Sequence, residues 1–320
     1  MPLPSQRFRA VAIAAAALLA PFAARAGGDW KAEVDASVDR AFARGDYAGI
    51  AYGIVTPDGL VHARAVGVAD GATSAPLTLD HAFRIGSVTK VFTTTLLLAL
   101  RDEGTVRLDD PLAEHWDGAL PETSPLGAPA ITLRHLAQHT SGLPRMPDNM
   151  TGRAEDPYNS YSPEQLREAL AATRLDTPVG SNSAYSNFGM AVLGQALASA
   201  SGMEYREALR AKVLVPMGLS HTGFAPEETG GAPWTRGHEA GRPRKPVDDW
   251  QLGAMEPAGS IASTVGDLAR FLQAHFAPDT AEAAAARPYR WSTAREATSV
   301  SFIEDADWRG GLGIGWHITR

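Results

Sequence analysis

An α/β protein, in which an antiparallel sheet is flanked by helices and interrupted by an inserted all-helical domain, is predicted by three features of the sequence. Residues 50–56 and 60–68 are rich in β-formers, and Pro57-Asp58-Gly59 between them reads as a hairpin turn. Before them, Trp30, Val34, Val38 and Phe42 fall four apart, the spacing of one apolar helix stripe. After Gly104 the texture changes to connections rich in Pro, Asp and His that join several helices. With 320 residues, 44% hydrophobic and 20% charged, the chain can bury a sizeable core as one large domain or two intimate ones.

The first segment stands apart from that fold. Arg7 and Arg9 precede an apolar run over 11–22, and Ala24-Arg25-Ala26 presents small residues at the two positions a signal peptidase reads. A signal peptide over 1–26 is therefore expected, with a mature start near Gly27 and an exported protein, periplasmic or secreted. The run is short for a bilayer, and no later stretch approaches about 18 consecutive apolar residues, so no integral span is expected after cleavage. The absence of cysteine leaves no lipidated N-terminus and no disulfide framework. Removing 1–26 takes away Arg7, Arg9 and Arg25 and no acid, so a formal charge of −7 becomes −10. Such a chain has little to attract it to nucleic acid or to an anionic membrane.

The elements follow in order. Asp29 caps the first helix, which Gly45 ends, and that helix is expected to lie on a sheet. A second helix begins at about Ser87, and the apolar run 96–100 marks it as buried. Ser162-Pro163-Glu164-Gln165 is a capping box with proline at the first helical position, opening a helix through Leu170. Residues 187–200 form another, closed by Gly202, and 204–215 a third. Residues 110–255 thus read as the helical domain, and 27–109 with 256–320 as the α/β domain. Ser263 or Thr264 caps a helix through Leu268, Phe271 and Leu272, and 312–318 resembles a strand. There is no internal repeat; 281–286 alone is low in complexity.

Chemistry concentrates at Ser87. Lysine is scarce, being confined to Lys31, Lys90, Lys212 and Lys245, and Ser87 is the only serine with a lysine three positions on. Lys90 opens an apolar segment, where an ammonium is costly to bury unless it has partners or sheds its proton. At i and i+3 the two side chains share a helix face, so Lys90 can reach the Ser87 hydroxyl and, with a lowered pKa, activate it as a nucleophile. The helix N-terminus offers a backbone N–H and a favourable dipole to a developing oxyanion. The alternative is a helix-capping serine beside a snorkelling lysine.

Phe83-Arg84-Ile85-Gly86-Ser87-Val88-Thr89-Lys90 resembles the nucleophile motif of serine β-lactamases and D-alanyl-D-alanine peptidases, in the branch of class C β-lactamases and related esterases. Ile131-Thr132-Leu133-Arg134-His135-Leu136, His139-Thr140-Ser141-Gly142-Leu143-Pro144, Tyr185-Ser186-Asn187, Pro257-Ala258-Gly259-Ser260 and Gly311-Leu312-Gly313-Ile314-Gly315-Trp316 are similar to later landmarks of that family, in order. The resemblance implies a β-lactamase/transpeptidase-like fold with its active site where the two domains meet. It also implies acylation of Ser87 by a β-lactam, a D-alanyl peptide of peptidoglycan or an ester, followed by hydrolysis, with no metal or organic cofactor. It assigns Tyr185 as the partner of Lys90 in moving the Ser87 proton and in protonating the leaving group. Asn187 would hold Lys90 and bind the substrate amide. Without the resemblance, Tyr185 reads as a packing residue and Asn187 as a helix cap.

No Gly-x-Ser-x-Gly elbow or His-Glu-x-x-His metal motif is present, and His135 and His139 read as loop or interface residues. The family's third motif, a basic residue or histidine, any residue, then glycine, is expected after Trp316, and the chain stops at Arg320. His221-Thr222-Gly223 has its spelling but comes early, after Val215-Pro216-Met217-Gly218-Leu219, and reads as a decoy. On that basis the C-terminal part of the α/β domain is expected to be incomplete, with an exposed sheet edge and poor solubility or weak activity for these 320 residues. A binding module that keeps the pocket without turnover is the rival expectation.

Overall fold

The computed structural model describes residues 29–121, 130–153, 155–175, 177–239, 241–276, 279–280, 284–303 and 310–319. The signal peptide expected over 1–26 and the first half of the low-complexity stretch, 281–283, lie outside them. The chain divides into two units, 1–44 and 45–320. In the first, α1 (Trp30–Phe42) starts where expected, with the Asp29 carboxylate accepting from the Ala32 N–H at 3.3 Å.

In the second unit Pro57 and Asp58 close the hairpin between β1 (Gly49–Thr56) and β2 (Gly59–Asp70), antiparallel from Thr56 opposite Gly59 to Gly49 opposite Gly67. Gly59 takes a φ of 120° there, a value that a side chain would disfavour. β3 (Ala75–Pro76) adds to the other edge of β2. β4 (Phe83–Arg84) and a single 3-10 turn, Gly86–Val88, lead into α2 (Thr89–Asp102). Phe92, Leu96, Leu97, Leu98 and Leu100 are at most 1% exposed, so α2 is covered on every side. At roughly 1.5–3 kcal/mol for each large apolar side chain, this helix is a main source of hydrophobic stabilisation.

Then come α3 (Leu133–Ala137), α4 (Pro163–Ala172), α5 (Asn187–Ser201) and α6 (Tyr205–Leu209), the last prolonged by a π turn, Arg210–Leu214. The capping box at Ser162 is formed in both directions, and Gly202 ends α5 at a φ of 67°. The helical segment is not all helix, however: β5 (His238–Glu239) and β6 (Arg242–Pro246) form a hairpin inside it. The turn at Gly241, with a φ of 72°, and two prolines in 242–246 are incompatible with a continuous helix.

A 3-10 run, Gly253–Ala258, precedes β7 (Ala262–Ser263), which pairs antiparallel with β4 and so ties the approach to Ser87 to the strand after Ala258. α7 (Val265–Phe276) begins after Thr264, whose Oγ1 accepts from the Asp267 N–H at 3.2 Å. It packs on the β1–β2 hairpin, and its Phe271 ring stacks on Phe92 of α2 at 4.2 Å. After α8 (Trp291–Ala297) come β8 (Phe302–Ile303), β9 (Gly310–Leu312) and β10 (His317–Thr319) in one antiparallel sheet. The single strand expected over 312–318 is instead a turn with two strands: Gly315 has a φ of 79°, and a Cβ there would stand 2.1 Å from Thr94 Oγ1 of α2.

The expected α/β class is therefore present, built from small antiparallel sheets among the described residues. One apolar core runs from Phe92 through Leu166, Leu193 and Met217 to Phe271 and Ile314, shared by α2, α4, α5 and α7. No helix among the described residues is long and apolar enough to cross a membrane.

His275 sits in this core with its Nδ1–H donating to Phe271 O at 2.7 Å and its Nε2 accepting from the Tyr289 hydroxyl. Burial holds its pKa down from 6.5 to about 4. An unfolded imidazole takes up its proton near pH 6.5 and the folded one only near pH 4, so stability falls as pH falls through that window. The limit is about 3 kcal/mol for such a histidine. Urea midpoints between pH 7 and 4.5 check this: they should drop steeply in the wild type and less steeply in His275→Gln. Equal pH slopes for the two would remove His275 from the account.

Candidate active site

Gly86, at a φ of 53°, turns the chain into the 3-10 segment that presents Ser87. The Ser87 side chain is exposed, whereas Lys90, one turn on and inside α2, is only 4% exposed. This one-turn offset puts an amine beneath a hydroxyl: Lys90 Nζ donates to Ser87 Oγ at 3.2 Å and to Ala258 O at 2.6 Å. Tyr185 Oη donates to the same Ser87 Oγ at 2.6 Å, and its ring centroid is 4.8 Å from Lys90 Nζ. An amine from the next turn and a phenol from 98 residues away thus converge on one oxygen.

Local capping positions the phenol. Ser186, not Asn187, is the cap of α5: its Oγ accepts from the Gly189 N–H at 2.8 Å and donates to Pro144 O at 2.6 Å. Asn187 is the first residue of the helix itself. Its Nδ2 donates to Met146 Sδ at 3.4 Å, and its buried Oδ1 has no hydrogen-bond partner among the described residues. The structure therefore brings Ser87, Lys90 and Tyr185 into mutual contact, and places Asn187 alongside without a bond to Lys90.

Charge states follow from the surroundings. Burial pushes the Lys90 pKa down from 10.5 to about 7, and the nearby Arg145 charge adds to the effect. Burial moves the Tyr185 phenol the other way, above its usual value, against weaker opposing effects of the Ser87 hydrogen bond and Arg145. An amine that is partly neutral at pH 7 can take a proton, and a phenol held protonated can give one.

Three neighbours were not foreseen as parts of the site. His139, read as a loop residue, accepts from the Ser186 N–H through Nδ1 at 3.2 Å and lies 4.8 Å, ring to ring, from Tyr185. Burial and then the Lys90 charge hold its pKa down to about 4, so it is a neutral brace for the phenol at pH 7. Arg145 lies over the Tyr185 ring at 5.1 Å, and Ala258 supplies the carbonyl that anchors Lys90. His139 and Ala258 lie within motifs the sequence already singled out; Arg145 follows such a motif directly and had no separate signal.

His221-Thr222-Gly223 is engaged elsewhere: the His221 N–H and Thr222 Oγ1 donate to Asp267 Oδ2 at 2.7 and 2.9 Å, bracing the start of α7. His135 belongs to the capping box of α3, its Nδ1 accepting from the Thr132 N–H at 3.1 Å. Asp110, Glu114 and His115 have ligand atoms within 4.8 Å of one another, but Asp110 is already held by Arg107 Nε at 2.7 Å and by His115. That cluster reads as a loop tie.

A helical layer packed on small antiparallel sheets, with a serine, a lysine and a tyrosine meeting at the start of the buried helix, defines a transpeptidase-like α/β protein. The model of the family described as Beta-lactamase matches residues 34–320, and the chain belongs to that family. Penicillin-binding protein 4 of Amycolatopsis lactamdurans is 30% identical over 272 residues, which cover 82% of this chain and 68% of that protein. D-alanyl-D-alanine-carboxypeptidase/endopeptidase AmpH of Escherichia coli (strain K12) is 35% identical over 202 residues, covering 63% of this chain and 50% of AmpH. The chain spans half or less of AmpH and of Beta-lactamase-like protein 2 of Dictyostelium discoideum, at 50% and 36%. Among solved structures, the β-lactamase/D-alanine carboxypeptidase from Yersinia pestis, complexed with citrate, has a TM-score of 0.66 at 26% identity. The alignment covers 86% of this chain and 77% of that one. The penicillin-binding protein homologue from Pyrococcus abyssi, at 24% identity, shares the fold with a TM-score of 0.72 over 90% of this chain and 64% of that one.

Proposed function

We propose that this chain is an exported serine hydrolase that forms an acyl-enzyme on Ser87 and acts on β-lactams or on the D-alanyl peptides of peptidoglycan. The convergence of Tyr185 Oη at 2.6 Å and Lys90 Nζ at 3.2 Å on Ser87 Oγ carries this reading.

In the first step neutral Lys90 takes the Ser87 proton while Oγ bonds to the substrate carbonyl carbon. Tyr185 gives its proton to the departing nitrogen as the C–N bond breaks, and Lys90 returns a proton to the phenolate. In the second step water, deprotonated by the same pair, attacks the ester carbonyl and releases Ser87. The raised phenol pKa suits Tyr185 to the donor role, and the lowered amine pKa suits Lys90 to the base role.

Intact-mass analysis after exposure to a fluorescent penicillin and, separately, to a fluorophosphonate tests the assignment. One adduct per chain is expected on the wild type and none on Ser87→Ala. An adduct that persists in Ser87→Ala moves the nucleophile elsewhere. No adduct from either probe on folded wild type would leave the reading without its central step.

A further inference from the structure

Beside the nucleophile stands a cation whose charge no carboxylate among the described residues answers. Arg145 directly follows the turn at Pro144, and its backbone O accepts from the N–H groups of Asn187 and Phe188 at 3.0 and 3.3 Å, which pins it at the start of α5. Its side chain is exposed, lies over the outer part of the site on the Tyr185 ring at 5.1 Å, and forms no ion pair among the described residues. Two other arginines, by contrast, have a carboxylate: Arg84 meets Asp249 at 3.3 Å, and Arg236 meets Asp248 at 3.2 Å.

The second observation is the unpartnered Asn187 Oδ1, a buried acceptor whose amide nitrogen is occupied by Met146 Sδ. A buried acceptor of this kind is unfavourable until a donor reaches it. The amide N–H on the acyl half of a peptide or penicillin is such a donor. The Asn187 N–H is bonded to Arg145 O, so Arg145 is the immediate neighbour of Asn187 across that bond. Tyr158 and Trp250 flank this end. Their rings are 5.6 Å apart, Trp250 is 39% exposed, and Tyr158 lies within the electrostatic reach of both Arg145 and Tyr185. The Tyr158 loop is fastened to Gln251, the residue after Trp250, through the Asp156 carboxylate, which accepts from the Gln251 N–H at 3.0 Å, and the Ser160 N–H, which donates to Gln251 O at 2.7 Å.

We propose that Arg145 is a specificity-determining residue that selects acyl donors carrying a carboxylate on the acyl half, beyond the amide read by Asn187, with Tyr158 and Trp250 as the apolar flank. This deepens the proposed function and rests on it for the orientation of the substrate. An exposed guanidinium and a carboxylate in solvent interact weakly and in a salt-dependent way, so a preference of about two- to fivefold is the scale to look for.

Binding and acylation are measured separately. In a Ser87→Ala background, N-succinyl-D-alanyl-D-alanine and N-acetyl-D-alanyl-D-alanine are titrated by calorimetry; they differ by one carboxymethyl group, which puts the carboxylate on the acyl half. The succinyl peptide should bind about two- to fivefold tighter with Arg145, about equally with Arg145→Gln, and more weakly with Arg145→Glu, and Arg145→Lys should restore most of the preference. In the Ser87 protein, acylation rates of benzylpenicillin and its α-carboxy analogue should show the same ratios, shrinking at high salt. Arg145 also acts on the Lys90 pKa, but that effect is common to both substrates of a pair and cancels in the ratio. Equal ratios in wild type and Arg145→Gln, or no binding of either peptide, overturn the proposal. Loss of the binding preference in Arg145→Gln without acylation of any form sustains it and overturns the hydrolase reading instead.

Discussion

Lys90→Met should abolish most acylation and yet unfold at a higher temperature than the wild type below pH 7. General-base assistance is worth about 100- to 10,000-fold in rate, and that is the expected loss. The stability gain has a separate origin. Holding a lysine at a pKa of about 7 against 10.5 outside the fold corresponds to a limit of roughly 5 kcal/mol at low pH, which water entry and relaxation reduce. Because the folded pKa is the lower one, the unfolded chain binds more protons between pH 7 and 10.5, and wild-type stability rises with pH across that window. The advantage of Lys90→Met is therefore largest below pH 7 and gone by about pH 10.5. Thermal unfolding of both proteins at pH 6, 8 and 10 measures it; a variant less stable at every pH would mean that the bonds to Ser87 and Ala258 outweigh the desolvation. In the wild type, acylation should rise with pH through about 7 as Lys90 loses its proton.

A second large effect is expected far from any reacting group. Gly194 lies in α5 where a Cβ would stand 2.1 Å from Pro257 Cγ and 2.5 Å from its Cβ. A proline ring in a 3-10 run cannot swing aside, and α5 is buried against α2 as well, so Gly194→Ala has to separate two packed elements. Overpacking of this kind costs about 3 kcal/mol or more. Ala258, next to Pro257, carries the oxygen that anchors Lys90, so acylation should fall along with the denaturation midpoint. Gly266→Ala in α7 is the contrast: its Cβ would meet only Thr264 Oγ1 at 3.9 Å, and the change should be neutral or stabilising. If both alanines behaved alike, helix propensity rather than contact with Pro257 would be the cause.

Much of this protein was determined by the sequence by itself, wherever the cause is local. The β1–β2 hairpin follows from β-formers around Pro57-Asp58-Gly59. The start of α4 follows from a capping box, the end of α5 from Gly202, and the i, i+3 pairing of Ser87 with Lys90 from helix geometry. Each depends on residues within a turn or two of one another.

Tertiary structure decided the rest, because the partners are far apart in the chain. Tyr185 reaches Ser87 across 98 residues and Ala258 reaches Lys90 across 168, and no periodicity encodes either approach. The cap of α5 falls on Ser186 rather than Asn187 because Pro144 O is there to take the Ser186 hydroxyl, a contact 42 residues away. The turn at Gly315 exists because Thr94 of α2 leaves no room for a side chain. The lowered pKa of Lys90 is likewise a property of the assembled core: the sequence places a lysine in an apolar helix, and only packing removes the water that would have kept it charged.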